Sequence, residues 1–436
     1  MTKTPIEKLI IKLSIPTIIT MMITNIYNLA DTAFVGTLGN SASGAVGIVF
    51  GFMTILQAVG FMFGQGSGTL SSRLLGAKDK EKASVIASTG VFFAFVIAVI
   101  VALVCACNLD FIVRLLGSTP TITPYAKTYI SYILMSAPFI VTSFTLNNIL
   151  RYEGKATLGM IGLMTGGCLN ILGDAVLMFH FGMGIKGAGL STAVSQFISF
   201  FILLFMFISG KSEIKLSLKK VTFNFSEFLD IVGTGCPSLI RQALNSVATI
   251  LLNTQAGVYG DVAVAAISIV NRVSFFLFAI ALGIGQGFQP VCAFNFGAKK
   301  FDRVKKGYFF TTVLATVTLA VLTVVTMIFS GNIIGIFRND INVIRIGTRA
   351  LRLLCLGQVF MPICTCTEFL MQSTGEKKTA IILSSLRGGV LFIPLLLILP
   401  SLRGLNGVME AQPLAFFLSI FPAVFVARRY FKKEKE

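Results

Sequence analysis

Asp31 and Asp174 are the residues best placed to do chemistry, because each is a carboxylate set inside an otherwise apolar run. In NIYNLADTAF, residues 25–34, Asp31 follows Thr24, Tyr27 and Asn28 at helical spacings of three and four, so the four share one face. In GGCLNILGDAVLMF, Asn170 and Asp174 lie four apart and also share a face. A carboxylate at the centre of a bilayer costs about 3 kcal/mol on insertion scales, so neither face can be turned to lipid. If both helices run the same way, each acid lies a few residues before the same end, and the two reach similar depth. Thr192, two turns into the next apolar run, reaches that level too. Two such carboxylates in low dielectric would hold a shared proton or a small cation, with amide and hydroxyl oxygens completing the shell. Oxygen-only ligands suit a hard monovalent ion, Na+ at Asp31, Asn170 and Asp174, better than a transition metal. The alternative is hydrogen bonding that merely ties helices together, a reading that weighs most for Asn25 and Asn28.

The elements that must position these groups are membrane helices. The chain is 55% hydrophobic and 12% charged, and runs of about 20 apolar residues recur from residue 9 to residue 427. They predict an all-α polytopic membrane protein of about twelve spans, among them 229–256 and 350–371. The net charge of +18 is a topology signal and does not imply a nucleic-acid partner. Lys/Arg clusters at Arg73/Lys78/Lys80/Lys82, Lys211/Lys215/Lys219/Lys220, Lys299/Lys300/Arg303/Lys305/Lys306 and Arg428 to Lys435 alternate with loops 36–44, 256–263 and 401–406, which carry almost none. By the positive-inside rule both termini are cytoplasmic, in the inner (cytoplasmic) membrane. The basic-then-apolar start lacks a small-residue cleavage site and predicts a retained first helix. Eight cysteines and one histidine, His180, make no metal-ligand spacing and point to buried apolar thiols.

The chain also repeats. GQGSGTLSSRLLGAKDKEKA from Gly64 aligns with GQGFQPVCAFNFGAKKFDRV from Gly285, and the same shift carries Pro16 onto Pro237, Gly36 and Gly39 onto Gly257 and Gly260, and Gly154 onto Gly375. Two six-helix halves of like orientation follow, with a parallel repeat and a transport site expected near the midplane. The sequence divides as an N-terminal lobe 1–210, a polar linker 211–227 and a C-terminal lobe 228–436. Pro16 removes a backbone donor inside the first helix and predicts a bend below Asp31, either static or conformationally active.

These features resemble the multidrug and toxic compound extrusion (MATE) family, through the Pro16/Asp31 spacing, FVGTLG at 34–39, the paired GAK loops, FQPVCAFNFGAKKFDRV at 288–304 and GLNGVMEAQP at 404–413. The resemblance covers nearly the whole chain and is strongest to the branch of DNA-damage-inducible exporters. It implies a cation-coupled antiporter, not an enzyme, exporting lipophilic, often cationic drugs or metabolites in exchange for H+ or Na+, as a monomer without a cofactor. It also implies an ion-coupling set of Asp31, Tyr129, Asn147, Asn170, Asp174 and Thr192. In the C-terminal half the acids of another branch have no clear match: the seventh span carries Arg241, Gln242, Asn245 and Asn253, and the other acids are Glu368 and Glu410. Asn28, Tyr27, Gln242, Arg272 and Glu368 are candidates for a substrate cavity. Phe275, Phe276 and Phe278 read as core or lipid-facing. The alternative function is a lipid-linked saccharide flippase, which would use Arg241, Arg272 and Arg387 as a cationic cavity for an anionic headgroup.

Overall fold

A computed structural model describes residues 1–433 of the chain, so Lys435 lies outside the described residues. Helices account for nearly every described residue, because long apolar segments must satisfy their backbone groups internally. In order, α1 spans Ile6–Gly36, α2 Asn40–Gly76, α3 Lys80–Cys107, the short α4 Leu109–Leu115, α5 Thr123–Tyr152, α6 Ala156–Asp174 and α7 Ile185–Ile208. The second half follows as α8 Phe225–Gly257, α9 Asp261–Gly297, α10 Phe301–Ile328, the short α11 Ser330–Phe337, α12 Ile341–Gln358, α13 Met361–Thr374, α14 Lys377–Ser385, α15 Phe392–Arg403, α16 Leu405–Leu418 and α17 Ile420–Lys433.

Most of the twelve expected spans are single apolar helices. Among the described residues ten helical segments are long and apolar enough to cross a bilayer, and α12 with α13 makes an eleventh, bent by 44° at the break between Gln358 and Met361. The run at 350–371 is therefore two helices, with Pro362 at the start of the second. The run at 229–256 falls within α8, whose 33 residues are long enough to span. Arg241, Gln242, Asn245 and Asn253 make it too polar to register by composition.

Cα packing divides the chain into one compact unit of Ile19–Leu239 and another of Met1–Ile18 with Ile240–Glu436. These units differ from the sequence lobes, because the beginning of α1 belongs with the second half and the beginning of α8 with the first. The reason is close backbone approach at matched glycines. A Cβ on Gly287 of α9 would lie 2.7 Å from the Ser14 amide nitrogen of α1, and one on Gly66 of α2 would collide with the Ile231 carbonyl of α8. Gly66 and Gly287 are repeat partners. Pro16 and Pro237, also partners, each lie just before the residue at which their helix passes from one unit to the other. α1 continues as a helix through Pro16.

Within the Ile19–Leu239 unit, α5 is the central helix. It sinks into a stripe of small residues on α2, where a Cβ on Gly64 would lie 2.7 Å from that of Asn148. The Thr145 hydroxyl donates to the Gly60 carbonyl at 3.2 Å across the same seam. The linker 211–227 is laid along α3. Lys215, Ser217 and Thr222 donate their amides to the hydroxyls of Ser84, Ser88 and Thr89, each at 3.1 Å. Lys80 pairs with Glu213 at 2.8 Å. A polar segment thus satisfies its backbone on the one hydroxyl-bearing face of an otherwise apolar helix.

Candidate functional site

Four helices of the Ile19–Leu239 unit bring their polar faces together. α1 contributes Tyr27 and Asp31, α5 Tyr129, α6 Asn170 and Asp174, and α7 Ser191 and Thr192. All seven side chains are buried, Asp174 and Tyr129 completely. The Tyr129 hydroxyl donates to Asp31 Oδ2 at 2.8 Å. Asn170 Nδ2 donates to Thr192 Oγ1 at 3.1 Å, and Thr192 passes its own proton to the Ala188 carbonyl at 3.0 Å. Ser191 donates to the Asn170 carbonyl at 2.9 Å, which fixes α6 against α7 at this depth. The carboxyl groups of Asp31 and Asp174 are neighbours, and Tyr27 sits beside Asp31 and Gln196.

The electrostatics of this cluster are one-sided. Oδ1 of Asp31, both carboxylate oxygens of Asp174 and Oδ1 of Asn170 are buried and meet no hydrogen-bond donor. Buried acceptors left unpaired are costly, and charged ones more so. The ion pairs among the described residues place no Lys or Arg on either acid. What converges here is an oxygen-rich set of a kind suited to a proton or a hard cation.

Immediately after Asp174 the helix widens into a π-turn, Ala175–His180, closed by a bond of 3.0 Å from the Phe181 amide to the Val176 carbonyl. Such turns recur at functional positions because the extra residue re-aims neighbouring side chains. No residue type in AVLMFH announces it. The signal available in the sequence was Gly187, where a Cβ would lie 2.9 Å from the Leu177 carbonyl carbon, so α7 presses on the widened turn.

Not every expected residue joins the cluster. Asn147 lies 18 residues beyond Tyr129 on α5, about 27 Å along the axis at 1.5 Å per residue, and its side chain backs onto Gly159 at the other end of α6. Eighteen residues make five full turns, so Asn147 keeps the face of Tyr129 but not its depth. Asn28 is only half-buried.

The acids of the other unit are differently arranged. Glu368 on α13 is buried and ion-paired with Arg241 of α8, itself 4% exposed. Arg387 stands nearby in a second π-turn, Leu386–Val390, and donates to the Thr365 hydroxyl at 2.7 Å. Its guanidinium lies 5.2 Å from the centroid of the Phe278 ring. Glu410 pairs with Arg403 at 2.6 Å. Gln242 is half-buried, and Arg272 is exposed on α9 and takes no part in the buried pair. Of the three arginines expected to line a cationic cavity, Arg241 is neutralised by Glu368 and Arg272 stands apart. Phe275 is exposed, in keeping with a lipid-facing position.

Comparison with known proteins fits both halves of this chain. The family model for MatE matches residues 16–176 and again 237–398, one match for each repeat. The chain belongs to the MatE family. It is 29% identical over 425 residues to the multidrug export protein MepA of Staphylococcus saprophyticus, covering 97% of this chain and 94% of that one. It is 28% identical, with the same coverage, to MepA of Staphylococcus aureus. Among solved structures it superposes on an outward-facing multidrug resistance MATE family transporter of the MOP superfamily with a TM-score of 0.94 at 24% identity, covering 99% of this chain and 97% of that one. It superposes on MATE in complex with MaL6 with a TM-score of 0.93 at 25% identity, covering 99% and 98%. As a MatE protein it is a multi-pass membrane transporter and not an enzyme, and the α8 helix that composition misses belongs to a twelve-helix, two-lobed fold.

Proposed function

We propose that this MatE protein is a secondary antiporter of the inner membrane, with both termini cytoplasmic. It exports lipophilic, often cationic drugs or toxic metabolites in exchange for H+ or Na+ by alternating access, and works as a monomer without a cofactor. The observation that carries the reading is the excess of buried acceptors at Asp31, Asn170 and Asp174 with no protein cation to balance them. A proton or Na+ entering this set supplies the missing positive partner. Its departure leaves the set attractive to a cationic substrate. The two occupancies are thereby exclusive, which is what exchange requires. Tyr129 and Thr192 hold Asp31 and Asn170 in position. Tyr27 and Asn28 are the candidate substrate contacts of this unit; Gln242, Arg272 and Glu368 are the candidates within the other unit, taken by itself. Pro16, at the crossover of α1, is the candidate conformational element. The export of many compounds is supported by the full-length similarity to the MepA proteins.

The test is efflux of a fluorescent lipophilic cation from reconstituted vesicles under an imposed proton gradient and, separately, a sodium gradient. Efflux should follow one gradient and be lost in Asp31→Asn and Asp174→Asn. Efflux that ignores both gradients, or that survives both substitutions, overturns the proposal.

A further inference from the structure

We propose that Arg345, Arg349 and Arg352 on α12 form a binding site for the phosphate headgroup of an anionic phospholipid. The three are spaced four and three residues apart, so they share one helix face, and all three are exposed. With Thr348, Leu353 and Leu356 they line a groove of about 480 Å³. The groove grades from cationic at the start of α12 to apolar at Leu356, over a distance of about 16 Å along the axis. That is the order in which a lipid presents its headgroup and its acyl chain.

Three observations point to a ligand. First, the charge is on the wrong side of the membrane for a topology signal. α10 leaves the Lys299/Lys300 cluster and runs 28 residues before α11 and α12 begin, so the arginines occupy the leaflet opposite the lysine-rich loops, where loops carry few cations. Second, the repeat shows what this face needs for folding alone. The shift that carries Gly154 onto Gly375 places Pro124, Thr128, Ser131 and Met135 of α5 at the positions of Arg345, Arg349, Arg352 and Leu356. Met135 and Leu356 are both exposed, so the two stripes present the same outward face; the first half carries a single cation there, Lys127 at the position of Thr348, and balances it with Asp110. Third, the arginines are not balanced by the protein. None pairs with a carboxylate among the described residues. Asp340, near the start of the helix, is engaged with the Asn342 and Val343 amides at 2.8 and 3.2 Å. Arg352 is held in place by a 3.0 Å bond from its Nε to the hydroxyl of the buried Ser330. Its remaining donors are left for the fork-like recognition of phosphate oxygens that guanidinium favours.

The experiment is native mass spectrometry of the full-length protein in detergent, titrated with short-chain phosphatidylglycerol, with phosphatidylcholine of the same chains, and with inorganic phosphate. Phosphatidylglycerol should bind in preference to phosphatidylcholine. The triple variant Arg345→Gln/Arg349→Gln/Arg352→Gln should bind it about a hundredfold more weakly, since each cation contributes about fivefold near an anionic headgroup. Arginine-to-lysine substitution at the three positions keeps the charge but loses the guanidinium fork, so its affinity should fall between those of the parent and the glutamine variant, and Lys299→Gln/Lys300→Gln should not change it. Should the triple variant fail to fold, Arg349→Gln alone is expected to lose about fivefold. Equal binding of the two lipids, unchanged affinity in the glutamine variants, or displacement of the lipid by equimolar inorganic phosphate would each overturn the assignment.

Discussion

Replacing Asp174 with asparagine should make the protein more stable and at the same time uncouple it. Neither Asp174 oxygen meets a donor, and Oδ1 of Asp31 and of Asn170 are likewise unpaired. A buried acceptor without a donor costs about 1–3 kcal/mol. Asparagine has nearly the shape of aspartate but brings two N–H donors, and pairing one of the neighbouring acceptors should recover about 1–3 kcal/mol. For a unit the size of Ile19–Leu239, at about 2–4 °C per kcal/mol, Tm should rise by roughly 3–10 °C. Asp31→Asn should gain less, because Tyr129 already donates to Asp31. The double variant should gain less than the sum of the two, because the repulsion between neighbouring carboxylates is relieved by either change alone. The assay is thermal unfolding in detergent at pH 8 without sodium, paired with gradient-driven efflux from vesicles. If Asp174→Asn lowers Tm, or if the two single variants rise equally, the acceptor excess is not what shapes this site.

Three further outcomes are expected. Glu368→Gln leaves Arg241 buried beside Arg387 without an acid and should destabilise by about 3–5 kcal/mol; Arg241→Met/Glu368→Met should recover most of this in the same unfolding assay, and a neutral single variant would contradict it. Asn147→Ala should leave the gradient dependence of efflux unchanged, because about 27 Å of α5 separates Asn147 from Tyr129, and a shifted ion requirement would show that the two communicate. Lys80 holds the Glu213 carboxyl below its ordinary value of 4.5. A lowered value contributes stability that is present above pH 4.5 and lost as the pH falls through the depressed value. Amide exchange in residues 211–222 should therefore accelerate only below about pH 4.5, and release of the linker near neutrality would refute this account.

The sequence by itself determined the class and much of the site. Hydrophobic run lengths, the alternation of lysine-rich loops and the internal repeat require a polytopic helical protein in two halves, since in lipid a backbone can only satisfy itself. The carboxylates were legible for the same reason: Asp31 and Asp174 cannot face acyl chains, so they had to face each other or water. Helical spacing put Asn170 on the face of Asp174 and carried Thr192 to its level, while Tyr129 and Asn147, which share a face of α5, were implied together by the family resemblance. Tertiary structure decided depth, because residues five turns apart on one helix are equivalent in angle and separate in space. It also decided which backbones exchange partners. The glycines that admit Ser14 to α9 and Ile231 to α2 are visible in the sequence, but the helices they receive are not. Charge pairing was the least legible property. Glu368 finds Arg241, which lies 127 residues before it in sequence, whereas Arg345, Arg349 and Arg352 find no acid, because proximity between side chains is set by how helices cross and not by their order along the chain.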